Sequence, residues 1–274
     1  MNVHAPTDPT TTLTARESDA RLWLETLPHY PEVRGCFAFA LNNGVWKEVP
    51  PIRLGVGDLA RISDDQGLDA LARGIVRSSD EGFDVYACPY PQPRHTRREK
   101  AAALARMHAH ADIDGPVNMD RARALGLVLV GSGSETDGQP HGHAYALLSR
   151  SVDPEHHAAL CRGLGKHLGG EKADATKHSD NDVLRIPGTM NYKRGEAQPV
   201  RWLIRPDWEG VRTWEPDELA HALGVELKHA EVVENAAAPS APAPVVNVSA
   251  RLEGLAREVR EAPHGEGNSR LNWA

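Results

Sequence analysis

An α/β or α+β architecture is predicted, on three observations. Apolar segments of strand period alternate with segments of helical period along most of the chain. Gly, Pro and Asn-Gly signals punctuate that alternation at short intervals. A chain of 274 residues, 40% hydrophobic and 25% charged, is long and apolar enough to bury a substantial core.

Residues 1–16 read as a loose polar leader, and 17–27 (ESDARLWLETL) as a first helix. GCFAFALN and GVWKEV read as a hairpin about Asn42-Asn43-Gly44, whose small polar residues suit a tight turn. Residues 64–77 have helical period with Ser63 as N-cap, and FDVYACPYP is a strand stopped by prolines. Residues 97–107 are helical in pattern and lead into HAHADIDG, read as a strand. A short helix near 119–125, the strand LGLVLVG, a polar loop SGSETDGQPHG and the strand HAYALLS follow. Residues 153–168 form a helix, with Asp153 as cap and Pro154 at the first position, where its missing N–H costs nothing. The loop GGEKADATKHSDNDV leads into LRIPGTMNYKRG, then a strand, PVRWLIRPDW, and a helix, EPDELAHALG.

The main domain is placed at 17–234. The Ala/Pro-rich stretch 235–248 reads as a semi-extended linker. Helical period resumes over 249–274, and the chain stops at EGNSRLNWA, at what looks like a helix start. A truncated helical segment leading into a further domain is the expectation.

Composition excludes some classes. No apolar run approaches the roughly 20 residues of a membrane span, and the N-terminus lacks the apolar core of a signal peptide. Cys36, Cys88 and Cys161 lie far apart without a Cys-x-x-Cys pair, so neither disulfides nor a zinc site is expected, and a reducing cytoplasm is. A net charge of −7 argues against a purely electrostatic nucleic-acid binder. Basic residues do cluster over 94–106, including Arg94, Arg97 and Arg98, and again over 185–205. Either cluster reads equally well as a solvated face.

In HAHADIDG a strand would put His108, His110, Asp112 and Asp114 on one face and Ala109, Ala111 and Ile113 in the core. A half-buried strand with a solvated face gives the same pattern. Two chemical readings compete with it. His-x-His-x-Asp begins a zinc hydrolase pattern, but Ile113 stands where a further histidine belongs. The alternative is a carboxylate pair for hard divalent cations, which take oxygen ligands and substrate phosphates. That reading requires partners, and the sequence offers them. A Gly/Ser-rich loop ends in His143; then come Asp174, Asp180 and Asp182, followed by Arg185-Ile-Pro-Gly-Thr189-Met-Asn191-Tyr-Lys193.

In this order the motifs resemble those of the archaeo-eukaryotic primase superfamily, specifically the primase-polymerase domains of phage and plasmid replication proteins. The likeness covers about residues 80–205. It implies an α+β fold in which an RRM-like antiparallel sheet carries the acids and packs with an N-terminal α/β lobe. It implies a DNA-dependent nucleotidyltransferase that makes or extends primers on single-stranded DNA in the bacterial cytoplasm. Asp112, Asp114 and a third acid would hold two Mg²⁺ or Mn²⁺ ions. The family's spacing of about eleven residues before the arginine selects Asp174, with Asp180 and Asp182 as alternatives. His143, Arg185 and Lys193 would bind the nucleotide, with Arg185 equally readable as a structural ion pair. Position 141 is His where the family motif has Ser, so Ser132 or Ser134 would supply the hydroxyl. Arg94, Arg97 and Arg98 would follow template or primer phosphates. NTP or dNTP is the implied substrate, and a C-terminal helicase domain the implied neighbour. The rivals are a rolling-circle nuclease using His141, His143 and Tyr145 or Tyr192, and a single-stranded nucleic-acid binding module without catalysis.

Overall fold

The protein is described by a computed structural model covering residues 12–30, 32–33, 35–53, 64–93, 97–193 and 195–227. The expectations for the Ser63 cap, Arg94, the linker and the C-terminal segment lie outside these residues. Two larger sheets, a two-stranded ribbon and five α-helices build an α+β fold among the described residues. No helix among them is long and apolar enough to cross a membrane.

Helix α1 (Ala15–Thr26) starts two residues earlier than the sequence predicts. Thr14 accepts from the Glu17 N–H while the Glu17 carboxylate accepts from the Thr14 N–H, a reciprocal cap. Strands β1 (Cys36–Asn42) and β2 (Trp46–Arg53) form the predicted hairpin. Helix α2 (Asp64–Asp80) and β3 (Asp84–Ala87) follow. The first sheet runs β2-β1-β3-β7, where β7 is Leu184–Arg185.

The second sheet is built on β6 (Gln139–Leu148). β4 (His108–Ile113) pairs with one edge of β6 and β5 (Val128–Thr136) with the other, both antiparallel. β10 (Arg201–Ile204) extends β5, and β11 (Thr213–Trp214) pairs with the end of β6. The two-residue strands β8 (Met190–Asn191) and β9 (Gln198–Pro199) pair with each other. Between the sheets, Trp23, Leu24, Phe37, Phe39 and Val85 pack with Val128, Val130 and Tyr145. The other face of the second sheet packs on α3 (Met119–Ala124), α4 (Pro154–Gly169) and α5 (Pro216–Leu223), through Ala109, Ala111, Leu160, Leu164 and Leu219 among others.

Two sequence expectations fail. SGSETDGQPHG is not a loop: β5 and β6 continue through it and turn at Asp137-Gly138, whose φ angles of 52° and 74° are those of a hairpin turn. Polar composition concealed a strand pair whose outer part is exposed. Residues 97–107 are not helical either. There the Ala101 and Ala103 N–H groups donate to the Asp180 carboxylate at 2.6 and 3.0 Å, and Arg106 Nε donates to it at 2.8 Å. A buried carboxylate gathering three donors outweighs local helix propensity, worth only tenths of a kcal/mol per residue.

Candidate active site

β4 brings HAHADIDG to an edge of the second sheet. Its Ala109, Ala111 and Ile113 enter the core as predicted. The opposite face is not uniformly solvated: His108 and His110 are fully buried, while the Asp112 side chain keeps 18% of its surface exposed. The strand ends at Ile113, so Asp114 lies just past it in a bend, exposed, with its N–H donated to the Lys172 carbonyl at 2.9 Å. Asp114 is thus a neighbour of the strand face and not a member of it.

The outer edge of β4 meets the segment containing Asp174. Ile113 and Ala173 form an antiparallel bridge, and the Asp174 N–H donates to the Asp112 carbonyl at 2.8 Å. Asp112 and Asp174 therefore sit opposite each other across this short pairing, as cross-strand neighbours do at a Cβ separation of about 5 Å. Asp174 Oδ1 also accepts from the N–H and hydroxyl of Thr176. The two other candidate acids have different surroundings. Asp180 is buried and paired with Arg106 at 2.6 Å. Asp182 accepts from the Ser179 N–H and lies 3.4 Å from His110 Nε2.

His143 lies across from Asp112 on β6, with its Nδ1 3.0 Å from Asp112 Oδ1. Burial pushes the Asp112 carboxyl up, but the His143 imidazole, Lys177 and His110 outweigh it and hold the group below its ordinary value. The carboxylate is thus kept charged by its neighbours. The His143 ring is buried, and its Nε2 has no hydrogen-bond partner among the described residues. A buried ring nitrogen without a partner is uncommon in a folded protein. Lys177, four residues before Asn181 in the loop after Asp174, carries no motif that would single it out in the sequence.

The RIPGTMNYK stretch is anchored residue by residue. Arg185 is buried and paired with Asp84 at 2.6 Å, and its guanidinium lies over the Tyr86 ring. Of its two predicted roles, the observed contact is the ion pair. Gly188 has φ of +87°, and a Cβ there would run into the Arg16 carbonyl, so glycine is required where α1 crosses. Thr189 donates its hydroxyl to the Ile186 carbonyl. Asn191 donates to the Ser132 carbonyl at 2.8 Å and to the Ser134 hydroxyl at 3.2 Å, tying this stretch to β5. Lys193 is exposed. Asp112 is near enough to act on the Tyr86 phenol: burial raises its pKa most, Arg185 lowers it, and Asp84 and Asp112 raise it. His143 and Asp174 thus meet Asp112 at the outer end of β4, while the RIPGTMNYK stretch is held by Asp84, Tyr86 and β5.

Of the basic run, Arg97 is 77% exposed and pairs with Glu99. Arg98 is held by Glu48 at 2.6 Å and by the Asn181 carbonyl, which is a structural placement. The tyrosines of the nuclease reading are not free. Tyr145 is fully buried, and the Tyr192 hydroxyl donates to the Ser79 carbonyl.

One cluster was invisible in the sequence. His110, His157 and Cys161 converge beneath β4, with their ligand-type atoms all within 4.8 Å of one another. Only the His157/Cys161 spacing of one helical turn could have signalled it, and a single i, i+4 pair is weak.

No family model and no curated protein matches the chain. Solved structures do. The primase-polymerase AEP domain of cyanophage S-2L aligns with 75% of this chain and 97% of its own, at 13% identity and a TM-score of 0.50. The chain shares the fold of that domain. The primase RepB′ aligns at 14% identity and a TM-score of 0.48 over 76% of this chain, which spans 62% of that protein's length. The catalytic domain of RepB′ in complex with initiator DNA gives 14% identity and 0.49 over 77% of this chain and 94% of its own.

Proposed function

We propose that this protein is a DNA-dependent nucleotidyltransferase, a primase-polymerase that makes or extends primers on single-stranded DNA. One observation carries the reading. The Asp-x-Asp pair, the histidine after the serine-rich strand and an acid upstream of RIPGTMNYK are scattered over more than 60 residues, yet they meet at one end of one strand. The archaeo-eukaryotic primase fold supports it.

The residues at that end fit hard divalent cations. Asp112, Asp114 and Asp174 offer oxygen donors from adjacent backbone positions, and Asp112 is held in its charged form. They are the proposed holders of two Mg²⁺ or Mn²⁺ ions. When bound, such ions lower the pKa of an attacking 3′-hydroxyl and neutralise the triphosphate.

The protein's own groups do the rest. A phosphate oxygen would satisfy the buried Nε2 of His143, which has no hydrogen-bond partner among the described residues. Lys177 supplies positive charge beside Asp112, and exposed Lys193, at the end of RIPGTMNYK, is the second cation proposed for the nucleotide. Arg185, held by Asp84, positions the RIPGTMNYK stretch and adds its field through Tyr86. Positioning and charge neutralisation are what phosphoryl transfer requires of a protein. Single-stranded DNA, with or without primer, would lie along exposed cations such as Arg97.

The test is nucleotide incorporation on single-stranded DNA, primed and unprimed, in Mg²⁺ and Mn²⁺, with ribo- and deoxynucleotides. Metal-dependent product from the wild type, absent from the Asp112→Asn/Asp114→Asn double variant, is expected. Equal DNA binding by both proteins with product from neither would overturn the catalytic reading and leave a binding module.

A further inference from the structure

We propose that His110, His157 and Cys161 form a buried site for a thiophilic divalent cation of the Zn²⁺ class, linking β4 to α4 behind the acid-bearing end of the strand. The inference is independent of the nucleotidyl-transfer reading and concerns a different set of atoms.

The separations are those of ligands sharing one ion. Cys161 Sγ lies 3.3 Å from His157 Nε2 and 3.6 Å from His110 Nδ1. Tetrahedral Zn²⁺, with bonds of about 2.05 Å to nitrogen and 2.3 Å to sulfur, sets its nitrogen and sulfur ligands about 3.6 Å apart. The phenol oxygen of Tyr90 lies 2.7 Å from His110 Nδ1 and 2.6 Å from His157 Nε2, bridging the two imidazoles more closely than the roughly 3.3 Å that separates ligands of one tetrahedral ion. A small outward shift of that oxygen opens the set to a tetrahedral ion.

A second observation concerns the far side of His110. Its Nε2 faces the Asp182 carboxylate at 3.4 Å. No hydrogen bond spans that gap, but an imidazole carrying its proton on the Nε2 side, toward the carboxylate, keeps its lone pair on Nδ1, which faces Cys161 within the cluster. A carboxylate behind a ligating histidine, fixing its tautomer, is the usual outer support of a zinc ligand. The aspartate that the sequence offered as a third catalytic acid thus has a use within this cluster.

All three residues are buried, with His110 at 0% exposure and His157 and Cys161 at 1%. The ligands come from two elements, β4 and α4, which already pack together. Binding would release to solvent the one proton that Cys161 and His110 share, leaving a metal–thiolate bond and two neutral imidazole ligands. The bound ion would fix the strand that ends in Asp112 against its supporting helix.

The experiment uses the full chain, stripped with a chelator and titrated with Co²⁺ and with Zn²⁺. A thiolate-to-cobalt charge-transfer band saturating at a single ion per chain is expected. At a hundredfold excess over its Kd, Zn²⁺ should raise the melting temperature by roughly 5–10 °C. Cys161→Ser should lose the band and the thermal shift while retaining the metal-free circular dichroism spectrum. Asp112→Asn/Asp114→Asn should keep both, which separates this site from the proposed catalytic pair whatever becomes of its activity. A wild type that shows no thiolate band in Co²⁺ overturns the proposal, even if Cys161→Ser fails to fold, and establishes a purely hydrogen-bonded cluster. A Cys161→Ser protein that keeps the wild-type band overturns it equally.

Discussion

The two halves of β4 share one sequence pattern and differ in everything around it. His108 and His110 occupy the same face as Asp112, at the same period of two. Yet the inner half pairs with Leu147 and Tyr145 of β6, lies under the stacked ring of Tyr90 and is dry. The outer half pairs with His143 and Gly142, borders the segment at Asp174 and reaches solvent. Alternation tells which side chains share a face. It does not tell how deep along the strand water reaches, because that depends on elements that pack over the face from elsewhere in the chain. The consequence is a division of labour: the inner half holds the strand, and the outer half presents charge.

That division can be broken by mutation. The largest expected effect is on catalysis, from Asp112→Asn. On the proposed metal-binding role of Asp112, the substitution should lower kcat/KM by a factor on the order of 10³, with little change in melting temperature. Tyr90→Phe should do the reverse. It removes the hydroxyl shared by His110 and His157 and leaves buried nitrogens unsatisfied, at about 1–3 kcal/mol in urea unfolding, with activity largely retained. If Tyr90→Phe were as inactive as Asp112→Asn at undiminished stability, the two halves would not be separable.

Smaller effects sharpen the same contrast. Asp153 caps α4, the helix that brings His157 and Cys161 to β4, through the Glu155 and His156 N–H groups. Asp153→Ala should cost about 1 kcal/mol. Burial pushes the Asp153 carboxyl up, but the His156 N–H, the charge of His156 and the Glu155 N–H outweigh it and hold the group below 3.8. Its stabilising effect is therefore complete above that value and lost as pH falls through the depressed one. Acid melts of wild type and Asp153→Ala should converge there. Smallest of all is Arg97→Ala, which should reduce the salt slope of single-stranded DNA binding by about one ion. Arg98→Ala should instead appear in stability, since Glu48 and the Asn181 carbonyl hold that side chain.

Much of this was legible in the residues. The α1, α2, α4 and α5 helices and the β1–β2 hairpin follow from caps, turns and period, which are local signals. The convergence of Asp112 with His143 and Asp174 was legible only as a family likeness, because it depends on strand pairing between distant segments. Arg185 shows the limit within a motif: its type and position fit a phosphate contact as well as they fit Asp84, which is a hundred and one residues away. The helix expected over 97–107 failed for a similar reason, since its competitor, Asp180, lies more than seventy residues downstream. The His110–His157–Cys161 cluster draws on two elements, and only the weak one-turn spacing of His157 and Cys161 hints at it in the sequence.

The grip of Asp180 on the segment before β4 also bears on the order of events as the chain folds. Arg106 and its carboxylate partner are separated by 74 residues, so the approach to β4 cannot take its final course until β5, β6 and α4 have been made and the loop beyond them has come back. Closing so long a loop is entropically unfavourable until the intervening hairpin has shortened it. The β5–β6 hairpin, with its tight turn, is therefore expected to form early. The entry into the acid-bearing strand locks late, and Asp180→Ala should slow that final phase in stopped-flow refolding while leaving the earlier one unchanged.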